Sequence, residues 1–146
     1  MPTVTVITGL AGSGKTEFLN KMVGVECFDE GVRTDQPQKF GGNLQRFLDA
    51  IGSGRNCAIV EIAYLTQKAR DELERVVGAR YSETVFNWIF FENNPEAANW
   101  NCFNDPNRTQ EQAEGSVWNN KRWTKLYEIP NGAAVQKIRK IPALKR

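Results

Sequence analysis

The sequence contains no histidine, and its three cysteines, Cys27, Cys57 and Cys102, show no metal-ligand spacing. Without histidine, a mechanism that needs an imidazole base is excluded, and a structural zinc site lacks its usual ligands. An odd number of cysteines without a pattern is typical of reduced thiols in the cytoplasm. We therefore expect a cytoplasmic protein with neither disulfides nor zinc.

Long apolar runs are also missing from the 146 residues. No stretch approaches the roughly 20 apolar residues that a membrane span needs, and the first residues resemble a strand rather than a signal peptide. There are no internal repeats and no low-complexity segments. These absences, at this length, predict a single domain over residues 1–146 that does not associate with membranes.

Charge nearly balances, with a net charge of +2, but its two signs are unevenly distributed. Residues 1–114 hold 11 basic and 16 acidic side chains, whereas residues 115–146 hold 8 basic side chains and 1 acidic one. A basic C-terminal segment, here residues 133–146, is typical of a protein that meets an anionic partner. It is equally typical of a solvated tail that aids solubility, and the sequence leaves both interpretations open.

One glycine-rich stretch follows the pattern G-x-x-x-x-G-K-[ST] of a phosphate-binding loop, also called Walker A. Its residues are Gly9-Leu10-Ala11-Gly12-Ser13-Gly14-Lys15-Thr16. The β-branched run Thr3–Thr8 predicts a buried strand before the loop, and residues 17–23 predict a helix after it. Glycines let backbone N–H groups approach a triphosphate, Lys15 is expected on the β- and γ-phosphates, and the Thr16 hydroxyl on Mg²⁺. The stretch predicts a site for ATP and Mg²⁺.

Strand and helix patterns alternate along the rest of the chain. A short strand is expected from residue 25, strands over 57–62, 84–92 and 134–138, and helices over 43–51, 66–77, 94–100 and 109–127. Asn43, Asn94 and Thr109 are expected helix caps, and Arg70 is expected to pair with Glu74 on an outer helix face. Alternation of this kind predicts an α/β fold: about five parallel strands with helices on both faces and a site at the strands' carboxyl ends.

The apolar strand predicted over residues 57–62 carries one acid, Glu61, close to its end. An apolar strand that ends in an acid is the Walker B pattern, in which the carboxylate holds Mg²⁺ through water. Together with Thr16, Glu61 is therefore a candidate for the metal site. The alternative is a carboxylate at the sheet edge that has no catalytic task.

These residues resemble those of small P-loop kinases of the polynucleotide-kinase-like type, a three-layer P-loop NTPase fold, with residues 9–16 matching the family's loop in full. In that family an acid-and-arginine loop follows the second strand, where the acid acts as base toward the acceptor hydroxyl and the arginine holds the acceptor. Here Asp29, Glu30, Arg33 and Asp35 occupy that place. The spacing leaves the choice among the three acids open, and Asp29 is preferred because it comes first after the apolar residues.

The family also has a later strand that leads to a helix and to a lid carrying arginine. Residues 90–95 followed by Arg108 are similar to this order. The family lid usually carries more arginine near that point, whereas here Arg108 stands alone until Lys121 and Arg122. The resemblance implies a small helical lid at about residues 104–127. It also implies that Arg108 stabilises the charge that develops during transfer.

The resemblance implies a kinase that transfers the γ-phosphoryl group of ATP, with Mg²⁺, to a hydroxyl acceptor. The acceptor is either the 5′-hydroxyl of a nucleic acid, a hydroxymethyl group on a DNA base as in small phage kinases that act in the host cytoplasm, or a nucleoside, sugar or other metabolite. Trp100, Trp118 and Trp123 suit stacking on bases, or else they pack the core or lid. Two other classes stay open: a regulatory ATPase without an acceptor, and a nucleic-acid-binding module with an inactive loop. The sequence contains no Asn-Lys-x-Asp motif, and its absence argues against a GTPase.

Overall fold

The computed structural model describes residues 1–145, in which strands alternate with helices. In chain order the elements are β1 (Thr3–Thr8), α1 (Lys15–Asn20), β2 (Glu26–Asp29), α2 (Asn43–Gly52), β3 (Cys57–Val60), α3 (Gln67–Arg80), β4 (Val85–Phe91), α4 (Pro95–Asn104), α5 (Gln110–Leu126) and β5 (Val135–Gln136). Two 3₁₀ turns, Lys39–Gly41 and Ile62–Leu65, precede α2 and α3. No helix among these residues is long and apolar enough to cross a membrane.

The strands form one five-stranded sheet in the order β2-β3-β1-β4-β5, and every pairing is parallel. The central strand is β1, which pairs Val4 with Cys57 of β3 and Thr3 with Val85 of β4. Its β-branched residues are buried on both faces, as expected for the middle of a parallel sheet. The predicted α/β fold with a five-stranded parallel sheet is therefore confirmed.

Alternate residues of β1 serve two separate cores, one on each face of the sheet. Val4 and Val6 belong to a cluster with Phe47 of α2 and Leu73 of α3. Ile7 belongs to a second cluster that draws on α1, on α4 and, through half-buried residues, on α5. Helices thus cover both faces, and the molecule has three layers.

The sheet order creates a crevice at the carboxyl ends of β1 and β3. After β1 the chain passes through α1 to β2 on one side, whereas after β3 it passes through α3 across β1 to β4 on the other. The helices that follow these two neighbouring strands consequently lie on opposite faces of the sheet. Such a point is where open α/β sheets bind ligands.

Several predicted ends differ from the observed ones, each for a local reason. Strand β3 ends at Val60 rather than at residue 62, because its partner β2 ends at Asp29 and the chain then turns away. Helix α1 begins at Lys15, directly from the glycine loop, and ends at Asn20. The cap of α2 is Gly42 and not Asn43, whose amide instead donates a hydrogen bond to the Glu30 carbonyl. The predicted last strand contracts to Val135–Gln136.

Arg70 was expected on the outer face of α3, and that prediction is wrong. The side chain is buried, and its guanidinium donates to the carbonyl oxygens of Tyr64 at 2.8 Å and Glu128 at 2.7 Å. It also lies over the ring of Phe90, 5.1 Å from the centroid. Arg70 therefore ties α3 to the chain that leaves α5. The predicted caps Asn94 and Thr109 are confirmed, since each accepts a hydrogen bond from its helix's first turn.

Candidate functional site

The glycine loop, residues 9–16, joins β1 to α1 at the centre of the crevice. Gly12 and Gly14 have φ of 88° and 105°, in the left-handed region that glycine occupies at little cost. The curved backbone runs directly into α1, whose N-terminus has no side-chain cap. A first helical turn without a cap presents backbone N–H donors and the positive end of the helix dipole to the loop interior.

Lys15 closes the loop from the inside. Its ammonium donates to the carbonyl oxygens of Gly9 at 2.5 Å and Leu10 at 2.9 Å. Burial lowers the pKa of Lys15 to about 8, Glu30 and Glu61 oppose that change, and the positive charge of Arg108 adds to it. Charged residues from three separate parts of the sequence, Glu30, Glu61 and Arg108, thus influence the pKa of one ammonium group.

Thr16 and Asp29 meet at the mouth of the loop, where the Thr16 hydroxyl donates to Asp29 Oδ1 at 3.5 Å. Mg²⁺ in proteins is held by one or two oxygen side chains plus the phosphates of the substrate. Within residues 1–145, no group of three or more His, Cys, Asp or Glu side chains could hold a metal ion by itself. Thr16 and Asp29 supply two oxygen atoms of the kind that complete the coordination of Mg²⁺ beside phosphate oxygens.

Glu61 lies directly beyond β3 and is buried, with 2% of its surface exposed. One carboxylate oxygen accepts a hydrogen bond from the Gly31 N–H at 3.0 Å, and the other lies 3.9 Å from Arg33 Nη1. Glu61 therefore fixes the acid-and-arginine loop against the end of β3. It also contributes negative charge to the surroundings of Lys15.

The three acids after β2 have different surroundings. Both carboxylate oxygens of Asp35 accept hydrogen bonds from Arg33, at 2.9 and 2.6 Å, and this pairing lowers the pKa of Asp35. Asp29 faces Thr16. Glu30 has a φ of 70°, and its backbone is held at both ends, by the Val60 carbonyl at 2.8 Å and by Asn43 Nδ2 at 3.0 Å. A left-handed glutamate is unusual, and such strain often marks functional sites.

Arg108 lies between α4 and α5. Its Nε donates to Asp105 at 3.2 Å, and its Nη1 donates to Ser116 Oγ at 2.5 Å and to Cys102 Sγ at 3.7 Å. The positive charge of Arg108 is close enough to Lys15 to help lower the pKa of that ammonium group. Helix α5, within the predicted lid, is fixed to the glycine loop by Asn120, whose amide bonds Ala11.

The sequence did not single out Asn120 or Asn101, both of which contact the loop. For Asn120 a signal was present, because α5 has no clean apolar face, as expected of a helix with a buried polar residue in its middle. The tryptophans divide between the two interpretations. Trp118 is 74% exposed, Trp123 packs against the second core, and Trp100 donates to the Ile141 carbonyl at 2.8 Å.

Fold and site together define an α/β protein with a parallel five-stranded sheet and a lysine-containing glycine loop at the sheet's carboxyl edge. No protein-family model matches the chain, and no curated protein matches its sequence. The chemistry of the site is therefore the basis for assigning a function.

Proposed function

We propose that the protein is an ATP- and Mg²⁺-dependent kinase that transfers the γ-phosphoryl group to a hydroxyl acceptor. The observation that carries the proposal is the arrangement at the glycine loop, where the Lys15 ammonium lies against the loop carbonyls and the Thr16 hydroxyl meets Asp29 at the mouth. Beside it, Glu61 accepts from the Gly31 N–H of the acid-and-arginine loop, and Glu30, Glu61 and Arg108 carry charges that influence the pKa of Lys15. A phosphoryl transfer needs positive charge at the phosphates and a carboxylate near the acceptor, at a common point. Both kinds of group are present around the glycine loop.

The loop residues 9–16 would bind the phosphates through backbone N–H groups. Lys15 would exchange the carbonyl oxygens of Gly9 and Leu10 for phosphate oxygens, which restores its full charge. Thr16 and Asp29 would hold Mg²⁺, with the Glu61 carboxylate behind them. When bound, the ion neutralises charge that builds up on the phosphates. Arg108 approaches the same region from α4 and α5.

Among the acids we assign the base to Glu30, in place of Asp29, which the sequence favoured. Asp35 is a poor base because Arg33 occupies both of its oxygens and lowers its pKa. Asp29 faces Thr16 on the metal side. Glu30 is exposed, and its negative charge helps to stabilise the charge of Lys15, so we assign its carboxylate to the acceptor side of the expected phosphate site.

The reaction would proceed in one displacement. The acceptor oxygen bonds to the γ-phosphorus as the bond from that phosphorus to the β–γ bridging oxygen breaks, and the hydroxyl proton passes to Glu30 while ADP leaves. Arg33, held between Asp35 and Glu61, would bind the acceptor. The backbone N–H groups of the glycine loop and Lys15 would stabilise the charge on the transferred group.

For the acceptor we propose a nucleic acid or nucleotide, bearing a 5′-hydroxyl or a hydroxymethyl base. The support is the outer face of α5, where spacing of three to four residues brings exposed side chains together. They are Trp118, Lys121, Arg122 and Lys125. An exposed aromatic ring among cations suits stacking on bases together with phosphate contacts.

The test is transfer of labelled γ-phosphate from ATP to a panel of acceptors: 5′-hydroxyl DNA and RNA, hydroxymethyl-base DNA, free nucleosides, sugars and water. Label on DNA or RNA supports the proposal and names the substrate class. Label only on a nucleoside or a sugar identifies a metabolite kinase. Label only in free phosphate identifies a regulatory ATPase. The Lys15→Ala variant is the control, and activity equal to the wild type would remove the glycine loop from the mechanism.

A further inference from the structure

Asn120 lies in the middle of α5 and is completely buried. Its amide bonds both backbone groups of one loop residue: Ala11 N–H donates to Oδ1 at 2.9 Å, and Nδ2 donates to the Ala11 carbonyl at 2.8 Å. The side chain therefore pairs with Ala11 in the way that a neighbouring strand would. A buried amide is costly unless bonded, and here its main partner is the glycine loop.

This pairing orients the two peptide groups on either side of Ala11. In a trans peptide the carbonyl and the following N–H point in opposite directions, and residues 1–145 contain no cis bond. Because the N–H and carbonyl of Ala11 face Asn120, the Leu10 carbonyl and the Gly12 N–H must point the other way. The Leu10 carbonyl accepts from the Lys15 ammonium at 2.9 Å, so that direction is the lysine side of the loop. The Gly12 N–H is directed to the same side.

Asn101 of α4 holds the next peptide group in a similar manner. Its Nδ2 donates to the Gly12 carbonyl at 2.9 Å and to the Arg139 carbonyl at 2.9 Å, while its Oδ1 accepts from the Ile141 N–H at 2.9 Å. With the Gly12 carbonyl turned to α4, the Ser13 N–H points into the loop and reaches the Leu10 carbonyl at 3.2 Å.

Helix α4 also approaches the loop closely. A Cβ atom added at Gly12 would collide with the Ala98 carbonyl, and Cys102 donates its S–H to the Ala11 carbonyl at 3.3 Å. The loop is thus packed against α4 and bonded by two buried asparagines, one from each of the last two helices. Neither asparagine faces the lysine side, so neither would contact a phosphate.

We propose that Asn120 and Asn101 are positioning residues for phosphate binding. They fix the peptide groups between Leu10 and Ser13 so that the N–H groups of Gly12 and Ser13 face the side on which Lys15 lies. The inference rests on the proposed function only in taking residues 9–16 as the phosphate cradle, and it applies whatever the acceptor is.

Aspartate substitutions test each asparagine with almost no change in shape. Asn120→Asp keeps the acceptor for the Ala11 N–H but places a second acceptor against the Ala11 carbonyl. Asn101→Asp keeps the acceptor for Ile141 and loses the donor to Gly12. Asn104→Asp is the matched control, because Asn104 is on the same helix, accepts from the Leu144 N–H, donates to the Trp100 carbonyl and has no bond to the loop.

The measurement is calorimetric titration of wild type and the three variants with MgATP and with magnesium tripolyphosphate, below the unfolding midpoint of each protein. Tripolyphosphate probes the cradle alone. We expect Asn120→Asp and Asn101→Asp to bind both ligands at least about tenfold more weakly, since each removes the amide donor to a loop carbonyl. Asn104→Asp should stay within twofold of wild type. A loss of fold stability alone would not change the affinity of the folded fraction.

Unaltered affinity in folded Asn120→Asp and Asn101→Asp would overturn the inference, as would an equal loss in Asn104→Asp. If Asn120→Asp shows no cooperative unfolding, Asn101→Asp decides the matter. Wild-type protein that binds neither ligand would refute the proposed function itself. Wild-type binding together with unaltered variants would refute only the positioning role.

Discussion

At the residue scale, we expect the protonation state of Lys15 to control how well the free protein captures ATP. Burial lowers its pKa to about 8, so above that pH the free protein loses the charge that attracts phosphate. We expect kcat/KM for ATP to fall about tenfold per pH unit above pH 8. Under saturating ATP, kcat should persist to higher pH, because bound phosphates raise the pKa of Lys15. Rate profiles between pH 6 and 10 check this, and a kcat/KM that stays level across the range would contradict it.

The same group predicts how the stability of the unliganded protein depends on pH. Its pKa is lowered from 10.5 to about 8 on folding, so between those values the unfolded chain binds a proton that the folded chain does not. Stability should therefore rise as the pH increases through this window. Urea unfolding at pH 7.5 and 10 measures the difference, and Lys15→Met, which has no proton to lose, should remove this part of it.

Glu30, the proposed base, has a φ of 70°, and its negative charge helps to stabilise the charge of Lys15. Glu30→Gln, Glu30→Ala and Glu30→Gly should all reduce transfer by a factor on the order of 100 or more, because the base is lost. Only glycine relieves the left-handed backbone, so Glu30→Gly should be more stable than Glu30→Ala by about 1 kcal/mol. Urea denaturation and the transfer assay give both quantities. Equal stability of the alanine and glycine variants would show that the backbone there is unstrained.

Residue identities could be predicted from the sequence only where a local motif exists. The spacing of the glycines indicates the loop with Lys15 and Thr16. Glu61 was a candidate because it follows an apolar run. Asn101 has no local signal, and Asn120 has only the lack of a clean apolar face on α5, because their partners in the loop lie about ninety or more positions away along the chain. Glu30 was not preferred for a related reason: its environment is set by Asn43 and by the end of β3.

At the element scale, Arg70 shows how one side chain can join distant segments. Removing it in Arg70→Ala leaves the buried Tyr64 carbonyl and the partly buried Glu128 carbonyl without this donor, so we expect the free energy of unfolding to fall by about 3 kcal/mol. Arg75→Ala is the control on the same helix, since Arg75 is exposed and pairs with the neighbouring Glu72, and it should leave stability nearly unchanged. Comparable losses in the two variants would contradict this role for Arg70.

Elements as such were largely predictable, and their ends were not. The helical spacing of Leu44, Phe47, Leu48 and Ile51 gave α2, and the capping box at Thr109 gave the start of α5. The ends of β2 and β3 depend instead on where their mutual pairing stops, which is a tertiary property. Arg70 was misplaced because its helical position lies at the border of the buried face, and burial there requires partners that the sequence does not reveal.

At the scale of the whole molecule, the exposed basic side chains on the outer face of α5 predict how the binding of a nucleic acid acceptor depends on salt. If single-stranded DNA binds there, the logarithm of the binding constant should fall linearly with the logarithm of the salt concentration. The double variant Lys121→Gln/Lys125→Gln should reduce this slope by about 0.7 for each lost phosphate contact. Lys68→Gln is the control, because Lys68 is exposed on α3, across the sheet. Filter binding at several salt concentrations measures the slopes. An unchanged slope in the double variant would move the DNA to another surface.

Alternation of strands and helices sufficed to predict a parallel sheet, but not the order of its strands. Right-handed crossovers permit several orders for the same pattern. The observed order places the glycine loop and Glu61 on neighbouring strands, and it puts the acid loop after β2 within reach of both. The meeting of these groups is therefore a consequence of topology, which no single segment encodes.

The central position of β1 also governs how the chain can fold. Its two neighbours come from far along the sequence, since Val4 pairs with Cys57 and Thr3 with Val85. Both long loops must close before the middle of the sheet exists, and folding dominated by such distant pairings is slow. Until β4 joins, β1 presents a bare apolar edge that another chain can extend. A fragment that ends before Val85 should accordingly aggregate, whereas the whole chain has no such edge at its centre.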